Sequence, residues 1–195
     1  MSRKTIVITI IVLSIALLAI TALSGCGSEA ATARKYMNQA DQAYADLTTK
    51  RLELQRQQES ILPAIISGDP AKIKLDSSQL PGIGKALASL QDSARTVLAD
   101  YRKIGSLKDV AEYKTYESMM VASLDMLIAS IDTGKAIVTE FTNLTNRLNS
   151  GAQVDVSGEK GRIFDVINKA LDQGTKAQEL QKRAKEYQAK HKLAG

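Results

Sequence analysis

The sequence predicts an all-α fold: an antiparallel up-down four-helix bundle with a long connection between helices one and two. Three observations predict it. Four stretches carry apolar residues at steps of three and four, the period of one helix face. Aromatics make up 4% of the 195 residues, with no Trp, and 3 Pro and 12 Gly are too few to punctuate many short strands. At 44% apolar and 24% charged, the chain has the material for a core and is unlike a disordered or collagen-like polymer.

The first helix is expected over residues 34–66, with Met37, Ala40, Tyr44, Leu47, Leu54, Ile61 and Ile65 on one stripe. Arg51 and Gln58 fall on that stripe and weaken it, and Pro63 implies a kink or a fresh last turn because it lacks an N–H. Residues 67–81 form the long connection, marked by Gly68-Asp69-Pro70 and Leu80-Pro81-Gly82. Within it Ile73 and Leu75 alternate with Lys72, Lys74 and Asp76, which predicts an extended segment laying two apolar side chains on the core.

The second helix, over 83–104, has the cleanest stripe: Ile83, Leu87, Leu90, Ala94, Val97, Tyr101 and Ile104. Gly105-Ser106 ends it, and Ser106 with Asp109 three positions on predicts a capped start for a third helix over 107–149. That helix presents Tyr113, Tyr116, Met120, Leu124, Leu127, Ile131, Val138, Phe141 and Leu148, with Gly134 permitting a close backbone approach. The fourth helix is expected over 159–192, with Ile163, Val166, Ala170, Ala177, Leu180, Ala184 and Tyr187 on one face. Helices with one apolar stripe each bury it by packing on one another, and short turns near Gly105 and Gly151 favour an intramolecular antiparallel monomer over an oligomeric coiled coil.

Ahead of the bundle, Arg3 and Lys4 precede an apolar run from Ile6 to Leu23, the pattern of an export signal. The run ends in Leu23-Ser24-Gly25-Cys26: an aliphatic residue, two small residues, then the one cysteine of the chain. This segment resembles the signal peptide and lipobox of bacterial lipoproteins, a resemblance confined to residues 1–26. It implies a diacylglycerol on the Cys26 thiol, cleavage before that residue and an N-acyl group on the new terminus. An uncleaved transmembrane anchor is the other reading, and both put everything after Cys26 outside the cytoplasmic membrane. Two or more acyl chains anchor firmly where one is marginal. The implied organisation is signal peptide at 1–25, a small-residue tether at 26–33 too brief to pack, and a helical-bundle domain at 34–195.

Charge excludes little. The net +5 includes Arg3 and Lys4, so cleavage leaves about +3, and a nucleic-acid partner is not expected on that ground. One His and one Cys remove most nucleophilic, haem, iron–sulfur and zinc chemistry, and no enzymatic role, metal or dissociable cofactor is expected.

Three features are candidate sites. In an up-down bundle all six tyrosines, Tyr36, Tyr44, Tyr101, Tyr113, Tyr116 and Tyr187, sort to the anchored end, as a tyrosine-filled core layer or as a partner or ligand surface. Lys182, Arg183, Lys185, Lys190 and Lys192 crowd the same end, as a solvated helix terminus or a tip resting on anionic headgroups. Gly82-Ile83-Gly84-Lys85 resembles the turn of a helix-hairpin-helix DNA-binding motif, which would make Gly82, Gly84 and Lys85 phosphate contacts. The unequal helix lengths also point to a distal groove walled by Ile65, Ile73, Leu75, Ile131, Val138, Phe141 and Phe164. The leading expectation is a non-catalytic binding or scaffold module of the envelope with an unidentified protein partner. The second is an extracytoplasmic small-ligand-binding or sensor domain, and the third surface DNA binding through the turn at 80–88.

Overall fold

The computed structural model describes residues 3–59 and 77–193, with 63, 67, 69, 71 and 73 between them; side chains are described from Glu29 onward, except those of 58, 59 and 77. The signal-peptide and lipobox side chains, Cys26 among them, lie outside that set, as do Ile61, Ile65 and Leu75. Among the described residues there are four long helices and no strand: α1 (Arg3–Glu59), α2 (Leu80–Gly105), α3 (Ala111–Asn149) and α4 (Val156–Lys190). Consecutive helices pack side by side, so the chain forms an all-α helical bundle.

The expected stripes supply most of the core, although on α4 only Ile163, Ala177 and Ala184 of the stripe are buried. Every residue of the α2 stripe is buried, as are Met37, Ala40, Tyr44, Leu47 and Leu54 of α1. On α3 Tyr116, Met120 and Leu124 are fully enclosed. Gly134 is buried, and a Cβ there would meet Leu87 Cδ2 at 3.4 Å, so α2 and α3 approach closely at that level. Phe141 is enclosed, while Phe164 is half-buried with the Lys160 ammonium 5.9 Å from its ring centre.

Four local expectations change. The stretch expected as a tether is helical, and Ala33 within it is fully buried; alanine's small apolar side chain suits a close packing position. The third helix starts at Ala111, because Leu107 and Val110 turn inward against the core and Asp109 takes a left-handed φ of 52° between them. Ser106 does not cap it; its hydroxyl donates back to the Lys103 carbonyl at 2.7 Å. Ile73 is buried as expected, yet helically: its N–H donates to the Asp69 carbonyl, and Asp69 Oδ1 accepts from Ala71 N at 2.9 Å. An aspartate accepting from the amide two residues on starts a helical turn, and that competes with the extended form. The fourth helix begins at Val156, three residues early, because Asp155 caps it by accepting from Gly158 N.

Two helix ends are closed by the same device. Gly151, with φ 75°, follows α3, and the Ala152 amide donates to the Arg147 carbonyl. Lys192, with φ 52°, follows α4, and the Leu193 amide donates to the Gln188 carbonyl. This left-handed closure turns the chain so that Leu193, 2% exposed, drops into the core.

Candidate functional site

Four tyrosines converge at the end where α1 enters the bundle and α4 ends. Tyr101 and Tyr116, both fully buried, meet edge to face with ring centres 6.1 Å apart. Each donates its hydroxyl to Asp41 Oδ1, at 2.5 and 2.6 Å. Asp41 Oδ2 accepts from Gln188 Nε2 at 2.8 Å and pairs with Lys185 Nζ at 2.7 Å. One carboxylate on α1 thus gathers donors from all three other helices. The next layer repeats the logic. Ser123 Oγ donates its single proton to the Ala177 carbonyl at 2.7 Å, so in the 3.4 Å contact with Tyr44 the tyrosine is the donor.

Burial is the main cause that raises all three phenols, Tyr44, Tyr101 and Tyr116, and it holds Tyr101 and Tyr116 protonated well above the ordinary tyrosine range, with the Asp41 charge adding to it at those two. Tyr44, Tyr101, Tyr113 and Tyr116 are buried, which corrects their candidacy as a partner or ligand surface: their rings fill the core while their hydroxyls meet polar partners. Tyr36 and Tyr187 are half-buried, and Tyr187 stacks on His191 at 4.1 Å, whose Nδ1 is 3.1 Å from Glu112 Oε1. The basic tip is partly engaged: Lys185 pairs with Asp41 and lies 5.5 Å from the Tyr116 ring centre, whereas Arg183, Lys190 and Lys192 are exposed.

Gly82, Gly84 and Lys85 do not form a turn between two helices. All three are helical residues at the start of α2, with Pro81 in the first turn where its missing N–H is harmless. A Cβ at Gly84 would stand 3.7 Å from Val138 of α3, so that glycine sits at a packing contact.

The bundle is closed tightly at the tyrosine end and loosely beyond it. Along the bundle α1 and α4 approach each other less closely than consecutive helices do, and beyond the tyrosine layer a cavity of about 470 Å³ lies between all four. Its walls include Leu54 of α1, Leu87 of α2, Ile131 and Phe141 of α3, and Ile167 and Leu171 of α4. Of the expected groove walls, Ile131, Val138 and Phe141 line it; Ile73 packs elsewhere in the core, and Phe164 is not among its walls. Leu171 is 63% exposed at its margin, an apolar side chain in water beside an apolar space. The polar contributors are few, Arg51 and Gln55 on α1 and Ser130, Thr175 and Gln178 on α3 and α4, the pattern of a ligand pocket.

Two features escape sequence reasoning: Asp41, which reads as an ordinary helix-surface carboxylate, and buried Gln91, which donates to Asp132 at 2.5 Å and accepts from Lys135. Among the residues whose side chains are described, from Glu29 onward, no group of three His, Cys, Asp or Glu is placed to hold a metal ion, and no helix is long and apolar enough to cross a membrane. Comparison with protein-family models, with curated proteins and with solved structures gives no match.

Proposed function

We propose that this chain is an exported lipoprotein, tethered to a membrane through acyl chains on Cys26, whose bundle is a non-catalytic binding module that takes a small apolar ligand into the cavity between the helices. The cavity is the observation that carries the reading. A well-packed interior leaves few voids larger than a water molecule, so a space of about 470 Å³ beside an exposed leucine favours an occupant over plain core packing. The export signal and lipobox pattern support the anchor, and the basic tip of α4 supports a resting contact with anionic headgroups at that end.

The test uses the full chain in phosphatidylcholine nanodiscs and a lipid extract of the producing cells. The extract is expected to raise the melting temperature in proportion to the logarithm of its concentration, as a native-state ligand does. Val138→Trp, which fills the cavity, is expected to remove that dependence while leaving the helical circular dichroism intact; no shift with either protein rejects the reading. A helix-face scaffold is the second reading, favoured by Leu52, 48% exposed on α1, and by Leu171 on α4. It predicts a protein crosslinked specifically to those faces in intact cells.

A further inference from the structure

The cavity is not uniform along the bundle axis. Helices α1 and α3 run away from the tyrosine end, and α2 and α4 run back toward it. Arg51 on α1 and Thr175 and Gln178 on α4 therefore lie at the level nearer the tyrosines, whereas Leu80, Ile137, Phe141 and Ile167 line the far level. The polar members of the lining are thus confined to the nearer half, where they stand beside Leu90 and Leu127, and the far half is apolar throughout.

Arg51 is the charged member. It is half-buried and, like half-buried Lys114, makes no hydrogen bond or ion pair with another described residue, whereas half-buried Lys135 and Lys185 each have a partner; of the two unpaired cations only Arg51 lines the cavity. Its charge reaches the buried Tyr44 hydroxyl, which it pulls against the upward effect of burial. An unpaired guanidinium at the wall of an apolar space is costly to desolvate and is the group best shaped for a bidentate oxyanion. Volume narrows the choice. At roughly 30 Å³ per water-sized group, about 470 Å³ holds about sixteen such groups, room for one aliphatic chain with its head and not for two.

Resting on the cavity reading above, we propose that the occupant is a single-chain amphiphile with an anionic head, a long-chain carboxylate in chemistry, its head on Arg51 and its chain directed away from the anchored end toward Phe141. Thr175 and Gln178 flank the head with neutral polar groups. The gap between α1 and α4, with Leu171 at its margin, admits the chain from the side.

The chain has no Trp, so Leu171→Trp installs a single reporter beside the cavity, and Gln55→Trp a second, so that the outcome does not hang on one position. The full chain sits in phosphatidylcholine vesicles. The probes are 11-bromoundecanoic acid, whose size is within that volume, and its methyl ester, both short-range quenchers, and dibrominated phosphatidylcholine sets the baseline for quenching from the bilayer. Arg51 lies 25 residues beyond Cys26 on α1, about 37 Å along a helix, so bilayer-dissolved bromine is remote from the reporter. The acid is expected to quench saturably above the baseline and the ester at least tenfold more weakly. Arg51→Gln is expected to weaken the acid ten- to a hundredfold, the range of a charge-assisted hydrogen bond, with Arg51→Lys recovering part of the loss and circular dichroism unchanged. Ester binding as tight as the acid, or an indifferent Arg51→Gln, overturns the assignment of the head and leaves the cavity reading standing. Saturable quenching by neither probe overturns both.

Discussion

Replacing Asp41 by alanine removes the one acceptor shared by two fully enclosed phenols. Tyr101 and Tyr116 each lose the hydrogen bond at 2.5 and 2.6 Å, and neither is exposed enough to recruit bulk water. An unsatisfied buried donor costs about 1–3 kcal/mol, so the pair accounts for about 2–6 kcal/mol. Gln188, 8% exposed, loses its bond at 2.8 Å, whereas the Lys185 side chain, 42% exposed, returns largely to water and contributes little. A loss of about 4 kcal/mol lowers the melting temperature of a domain this size by roughly 8–16 °C. Asp41→Asn is expected to lose less, since its amide oxygen still accepts from the tyrosines while its NH₂ faces Lys185. Urea unfolding followed by circular dichroism measures both. A loss below 1 kcal/mol for Asp41→Ala would refute the idea that this carboxylate holds the four helices together at that end.

The same layer sets an alkaline limit. Because Tyr101 and Tyr116 are raised, the unfolded chain ionises near pH 10 while the folded chain does not, so stability is fully present below pH 10 and falls as pH rises through the folded values. Each phenol approaches about 1.4 kcal/mol per pH unit, and a urea midpoint unchanged between pH 10 and 11.5 would contradict this. Gly151→Ala, at φ 75° with open space around it, is expected to cost about 1 kcal/mol from backbone strain alone, read from the urea midpoint. Gly161→Ala, helical and exposed with nothing within 4 Å, is expected to gain about 1 kcal/mol in the same assay. Leu193→Ala is expected to cost about 2 kcal/mol and to speed amide exchange over the last turn of α4; no change in exchange would show that the tail is not seated in the core.

The α2 stripe was fully legible because seven apolar residues at unbroken helical steps leave one solution for burying them. The start of α3 was not, because Ser106 and Asp109 satisfy a local capping pattern while Leu107 and Val110 follow the tertiary demand to bury an inter-helix turn. Local hydrogen-bond signals lost to packing there, and won at Asp69, where a capping side chain displaced the extended form expected for Ile73. Half of the candidate site could be read. The tyrosines sort to one end by register alone, but their partner could not be found, since Asp41 stands beside the stripe at a spacing shared by any solvated carboxylate. Arg51 left a trace as the charge that breaks the α1 stripe, and the structure puts it where the stripe faces space instead of side chains. Geometry across four helices decides whether such a charge is a flaw or a site, and a linear pattern does not carry it.

Native mass spectrometry of the protein released from its own envelope membranes tests the account most directly. The account predicts a polypeptide beginning at Cys26, heavier than its sequence by covalent acyl groups, with one further non-covalent adduct of a single-chain anion that is absent from Arg51→Gln. A polypeptide still carrying residues 1–25 without acyl mass, and without any adduct, would contradict it.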